Sequence, residues 1–212
     1  MTAEPRPNTQ QERTRRSTNA LLEAAADLIV EGGLDALTFA AIGDRAGYSR
    51  GMVTARFGSK EGLIDALIER IATTWSHRNV LPRTKGRPGL EGVLTLLDAI
   101  RAQAARDPRG LVVLYSLMFQ AASDDALRDR FAKFNEEMRA DIAQFVRRGL
   151  RDGSIDKGRS PDKESVLILA GLRGIGFQWL LDLDGFDPVG PLTYLHDTTR
   201  DRLTADPENR GS

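Results

Sequence analysis

RAGYSRGMVTARFGSKEGL, residues 45–63, sets the fold expected of this chain. It holds four cations, Arg45, Arg50, Arg56 and Lys60, before its first acid, Glu61, in a chain of zero formal net charge. Short helices lie on either side of its first glycine. Thr38 can cap a helix over FAAIGDRA, and Gly47 can end it, because glycine takes the left-handed C-terminal conformation cheaply. Ser49 can cap a second helix, RGMVTARF, which Gly58 breaks. Ser59 then caps a longer one, with Glu61 in the first turn, where the helix dipole favours an acid. Ile42, Ala46, Val53 and Phe57 can pin the pair against Leu28 and Leu37, and the small Ala41 and Gly43 allow close approach.

This is the helix-turn-helix layout. The face left over carries Arg50, Gly51, Thr54 and, at its far end, Arg56. Arginine can make two hydrogen bonds to a guanine edge, worth about 1–3 kcal/mol of discrimination. Gly51 removes bulk where a helix must approach base edges. Ser49 and Thr54 can donate hydroxyls to phosphate, and Lys60 stands at a helix start, where the dipole favours an anion. Periodicity and charge fit a DNA-reading element and an ordinary solvated helix pair equally well.

Outside this stretch, period-two alternation is nearly absent and helical periodicity is widespread. Residues 1–13 are polar, proline-bearing and cationic, and read as a disordered basic arm. A first helix is expected over 14–31, with Leu21, Ala25, Leu28 and Ile29 on its buried stripe and Gly32-Gly33 at its end. Residues 81–89 read as a loop. Five further helices are expected over about 90–106, 111–122, 125–151, 160–183 and 191–203, with Pro161 at a first helical position. Residues 205–212 read as a flexible tail.

Composition narrows the function. The chain has 212 residues, 41% of them hydrophobic and 28% charged, as in soluble globular proteins. With no cysteine, disulfides, zinc–thiolate sites and thiol catalysis are excluded. The N-terminus lacks the apolar core of a signal peptide, and no apolar run approaches the roughly 20 residues that span a bilayer, so a cytoplasmic location without a membrane partner is expected. His77 and His196 are the only histidines; they lie far apart and read as surface or cap residues. Asp124-Asp125 reads as a loop and helix cap rather than an acid/base pair. GLRGIG, residues 171–176, sits inside an apolar helix with no strand before it, so it is not a dinucleotide loop. No enzyme, metal or cofactor is implied.

Residues 14–70 resemble the DNA-binding domain of TetR-family transcriptional regulators. The likeness runs through ALLEAAADLIVEGGLDALTFAAIGDRAG and the block MVTARFGSKEGL, Met52–Leu63. Family members typically carry T-L-Y-x-H-F-x-S-K-E-x-L at that block. Two positions depart from the pattern. Thr54 stands where the family has its phosphate-binding tyrosine, and Arg56 stands at the histidine. Threonine reaches less far, whereas arginine adds a permanent charge and a bidentate grip, so the expected phosphate anchor moves toward Arg56 and Lys60. Tyr48 replaces a small aliphatic and could lie on the DNA backbone or partly on base edges, or be partly buried in the turn. With Thr38 at the cap, the expected DNA-contacting set is Thr38, Tyr48, Ser49, Arg50, Gly51, Thr54, Arg56 and Lys60.

The resemblance implies an all-α chain, with an N-terminal three-helix helix-turn-helix domain (residues 14–60) and a larger C-terminal domain (61–204) that binds a small effector and dimerises. Candidate effector contacts are Trp75, Leu97, Ile100, Tyr115 and Met118, with Phe119, Phe134, Met138 and Trp179; Leu114 and Ile142 could add to them, and ordinary core packing explains the same residues. Ala170 and Gly174 leave a shallow helix face. With Phe177, Leu181 and Leu195 they form the expected homodimer interface, an internal helix contact being the other reading of the glycines. The function expected is a homodimeric repressor released from a pseudo-palindromic double-stranded operator by a small apolar effector. A ligand-independent DNA-binding dimer and an all-α small-molecule-binding protein are the alternatives.

Overall fold

The computed structural model describes residues 9–73 and 86–204. Among them are nine α-helices: α1 (Thr9–Gly32), α2 (Phe39–Ala46), α3 (Arg50–Phe57), α4 (Lys60–Thr73), α5 (Gly89–Arg106), α6 (Arg109–Gln120), α7 (Asp125–Asp152), α8 (Pro161–Leu181) and α9 (Val189–Leu203). A 3-10 turn, Leu34–Ala36, links α1 to α2, and the described residues hold no strand beyond one isolated bridge, Ile155 to Thr204. The all-α expectation holds, and the expected helix limits of the C-terminal half lie within a turn of those observed. The first eight residues of the expected arm, Trp75, His77, most of the 81–89 loop and the 205–212 tail lie outside the described residues.

The chain divides into two units, Met1–Arg70 and Ile71–Ser212. In the first, Leu21, Ala25 and Ile29 of α1 are buried together with Leu37, Ile42, Val53, Leu63 and Leu67. α1 begins at Thr9 rather than Thr14, because Gln10, Gln11 and Glu12 are good helix formers and Glu12 sits favourably in the first turn. Residues 9–13 therefore belong to the helix and not to the arm. The division falls after Arg70 instead of Lys60. The reason is that the first turns of α4 bury Leu63 and Leu67, while Arg70 pairs with Glu23 and donates to the Asn19 carbonyl.

In the second unit the core joins Val93, Leu97 and Ile100 of α5 to Ile142 and Val146 of α7, Ile168 and Leu172 of α8, and Leu203 of α9. Pro88 offers no side-chain cap to α5. The orphan N–H groups of that helix start find partners far along the chain: Gly89 N–H donates to Asp152 at 2.8 Å and Leu90 N–H to Ser154 Oγ at 3.1 Å. Asp124 caps α7 by accepting from Leu127 N–H at 2.9 Å, which gives the Asp124-Asp125 pair its structural use. Glu164 is buried and held by Arg202 and Arg159.

α8 corrects one expectation. Over Pro161–Leu181 it is long and apolar enough, by length and composition, to cross a membrane. Its apolarity is two-sided. Ile168, Leu169, Leu172 and Trp179 enter the core, while Val166 and Leu167 are each 54% exposed, Phe177 42% and Leu181 68%. A helix apolar all round is one that expects cover on all sides.

Candidate nucleic-acid interface and effector cavity

The α2–α3 pair is built as its sequence dictates. Thr38 Oγ1 accepts from Ala41 N–H at 3.2 Å and caps α2, and Ser49 Oγ accepts from Met52 N–H at 3.2 Å and caps α3. Gly47 takes φ 75°, the left-handed conformation that favours glycine. The two helices then approach closely: a Cβ on Gly43 would stand 2.6 Å from the Tyr48 carbonyl oxygen. Tyr48 N–H closes the turn by donating to the Gly43 carbonyl at 2.8 Å, and its side chain is half-buried. Val53 is fully buried, whereas Ser49, Arg50, Gly51 and Thr54 are exposed on the outer face. Thr54 spends its hydroxyl hydrogen on the Arg50 carbonyl at 3.1 Å.

The four cations have different fates. Arg45 makes a two-pronged pair with Glu31, both distances 2.6 Å; the hydrogen bonds from Arg45 lower the Glu31 carboxyl and those to Glu31 raise the Arg45 guanidinium. Arg56 is half-buried and donates to Ser17 Oγ of α1 at 3.3 Å, and its Nε is buried without a partner. This corrects its placement on the free face, because the side chain turns inward at the end of α3. Lys60 donates to the Leu34 carbonyl at 3.0 Å but stays exposed. Arg50 has no acid within ion-pair distance among the described residues. Arg50 and Lys60 line one open cleft of about 380 Å³ with Leu37, Thr38, Phe39 and Ala40. The starts of α2, α3 and α4 meet there. The positive ends of three helix dipoles and two cations make the cleft suitable for phosphate. Phe39 and Ala40 were not singled out in the sequence because their side chains carry no anion-binding chemistry.

The second unit encloses a small cavity of about 20 Å³, lined by Ile100, Leu111, Leu114, Tyr115, Phe134, Met138, Leu172 and Arg173. Four residues of the expected effector set line it: Ile100, Tyr115, Phe134 and Met138. Leu97 and Trp179 are buried in the core instead, and Met118 packs against that core half-buried. Phe119 is 61% exposed, with its ring 6.3 Å from that of Phe177. Tyr115 OH donates to the Leu172 carbonyl at 3.0 Å, and burial pushes its phenol above the ordinary range despite the nearby Arg173. Arg173 escaped the sequence reading. Its signal was present, since it is the single charged residue between Ser165 and Leu181.

The glycines of α8 divide between two uses. A Cβ on Gly171 would stand 2.9 Å from Leu195, and one on Gly176 would collide with the Tyr115 ring; both glycines serve internal packing. Gly174 faces open space, in line with exposed Ala170, Phe177 and Leu181. Leu195 is half-buried against Gly171 and the core. His196 is buried rather than on the surface, with Nδ1 3.0 Å from Asp197 and Nε2 3.7 Å from Asp98. No group of three or more potential metal-ligating side chains occurs among the described residues.

A capped helix-turn-helix unit, a larger helical unit and the chain's family matches together define the class: a helix-turn-helix transcriptional regulator, not an enzyme. The chain belongs to the TetR family: residues 21–67 match the bacterial regulatory proteins of the tetR family, and residues 90–203 match the C-terminal domain of BetI-type transcriptional repressors. It is 31% identical over 125 residues to an uncharacterized HTH-type transcriptional regulator of Mycobacterium tuberculosis, a match spanning 57% of this chain and 61% of that relative's length. It is 24% identical over 227 residues to the HTH-type transcriptional regulator TtgR of Pseudomonas putida, covering 94% of this chain and 97% of TtgR. A transcriptional regulator from Saccharomonospora viridis, solved in complex with choline, shares the fold at a TM-score of 0.76 and 18% identity, over 91% of this chain and 100% of that one. SmeT, the repressor of the Stenotrophomonas maltophilia multidrug efflux pump SmeDEF, shares it at 0.73 and 20% identity, over 92% and 93%.

Proposed function

We propose that this regulator is a homodimeric, cytoplasmic repressor that holds a pseudo-palindromic operator through its two α3 helices and is released by a small, largely apolar effector. The observation that carries the DNA contact is the cationic cleft at the start of α3, where Arg50 is exposed without an acidic partner and Lys60 stands beside it. Paired α3 helices would enter major grooves about 34–36 Å apart, or a multiple of that. Arg50 reads bases, and Gly51 lets α3 come close. Ser49, Lys60 and the cap at Thr38 hold phosphates, with Thr54 and Tyr48 beside them. Arg56 bonds Ser17, so its first role is to set the angle of α3 on α1. Effector bound in the cavity acts only by favouring one spacing of the two α3 helices over the other.

Gel shifts with the DNA flanking its own gene, at several salt concentrations, test the reading. Specific binding should weaken steeply with salt. Arg50→Ala should relax preference at particular base pairs by about 1–3 kcal/mol. Arg56→Ala should lower thermal stability and leave the salt slope close to that of the parent. Binding that neither salt nor Arg50→Ala alters would overturn the assignment.

A further inference from the structure

Arg173 carries an inference that rests on the effector-binding reading and sharpens it. Its guanidinium lies in a cavity otherwise lined by apolar and aromatic side chains. One of its terminal nitrogens donates to Asn135 Oδ1 and stands 3.1 Å from Met138 Sδ. The guanidinium carbon is 5.5 Å from the centre of the Phe134 ring and 5.9 Å from that of Tyr115. No carboxylate of the described residues lies within ion-pair distance, and Nε is buried without any hydrogen-bond partner. The phenol of Tyr115 supplies no negative charge, since its proton goes to the Leu172 carbonyl.

A half-buried guanidinium whose Nε is fully desolvated, and which meets an amide oxygen, a thioether, the Tyr115 phenol and ring faces but no carboxylate, is under-compensated. Charge-assisted, two-pronged binding of a carboxylate is the chemistry that fits a guanidinium best. A ligand cation has the opposite problem, because Arg173 already occupies both ring faces that would receive it. The cavity at about 20 Å³ has room for roughly one water. The unbranched Met138 and the Arg173 side chain are the parts that can swing to enlarge it.

We propose that the effector is a small organic anion, an apolar body ending in a carboxylate, with the carboxylate on Arg173 and the body among Ile100, Leu114, Phe134 and Met138. Arg173 is then the specificity-determining residue. A larger neutral or cationic ligand, such as the choline of the Saccharomonospora viridis complex, is not what this cavity selects.

The test is calorimetric titration of the full chain, without DNA, with three matched series: arylalkanoic acids of two to four carbons in the chain, their primary amides, and the corresponding amines, with choline beside them. The best acid should bind about tenfold or more tighter than its amide, a gap of roughly 1.4 kcal/mol, and the amines and choline should not bind measurably. Arg173→Gln should abolish the acid-over-amide preference, and Arg173→Lys should keep part of it; circular dichroism melts show that each variant is folded. Should Arg173→Gln fail to fold, the Lys variant and the acid–amide gap of the parent decide. Choline or an amine binding as well as the acids, or no acid exceeding its amide, overturns the proposal. Loss of operator binding in gel shifts is read separately, so failure of the repressor reading is not confused with failure of this one.

Discussion

Gly51 stands inside an eight-residue helix, where glycine costs about 1 kcal/mol against alanine. A Cβ there would meet nothing nearer than Ser49 Oγ at 3.8 Å, so packing within the chain does not demand glycine. Gly43 is the opposite case, since its missing Cβ is what lets α3 start against α2. The two positions therefore respond differently to the same change. Gly51→Ala should raise thermal stability by a few tenths to about 1 kcal/mol while weakening operator affinity, measured by melting and gel shift on one preparation. If affinity is unchanged, α3 does not approach bases at that position. Arg56 shows the same contrast between chemistry and placement: its residue type fits a phosphate grip, but its side chain leans on Ser17.

The start of α5 illustrates how a whole element depends on one distant side chain. Asp152 accepts from Gly89 N–H and, through its other oxygen, from Ser154 N–H at 3.0 Å. Burial raises this carboxyl, but the bonds from Ser154 and Gly89, with Arg148 nearby, outweigh it and hold it below the ordinary value of 3.8. The sign follows directly. A depressed carboxyl stabilises the fold at pH values above its ordinary range, and the contribution disappears as pH falls through the lower folded value. Asp152→Ala should cost about 1 kcal/mol at neutral pH, or roughly 2–4 °C. The difference from the parent should start to shrink as the pH falls toward the ordinary carboxyl value of 3.8 and go on shrinking until the pH is below the lower folded value. A difference that persists in acid would mean that lost packing, not the charged cap, causes it.

In the whole molecule, α8 must satisfy two surroundings. One face fills the core, and the exposed Val166, Leu167, Ala170, Gly174, Phe177 and Leu181 form a stripe at three- and four-residue spacing that a single chain leaves in water. A second copy of the same stripe, related by a twofold axis, is the simplest cover. Leu181→Glu, at a position 68% exposed, should halve the mass seen by light scattering at micromolar concentration and weaken operator binding, with helical content retained. A dimer that survives both this change and Phe177→Asp places the interface elsewhere.

Much of this architecture was legible before any coordinates. Caps at Thr38, Ser49 and Asp124, stops at Gly47 and Gly58, and the helical stripes all depend on residues within about four positions of each other, and such short-range rules are written in the chain order. The family block from Met52 to Leu63 added the function class. The cavity was half legible: aromatic and methionine content pointed to the region, but core and cavity lining share one composition. What needed the folded chain were partnerships between distant residues. Arg45 meets Glu31 across 14 positions, Lys60 meets Leu34 across 26 and Arg56 meets Ser17 across 39. Those contacts leave Arg50 as the stretch's one cation with no such partner among the described residues. Distant packing in the second unit likewise sets Gly171 against Leu195 and Gly176 against Tyr115 while Gly174 stays open, and it leaves Arg173 at the cavity without a carboxylate partner among the described residues. Local order specifies elements because helix energetics are short-ranged; which charge is neutralised and which stays available depends on where the packed helices bring their side chains.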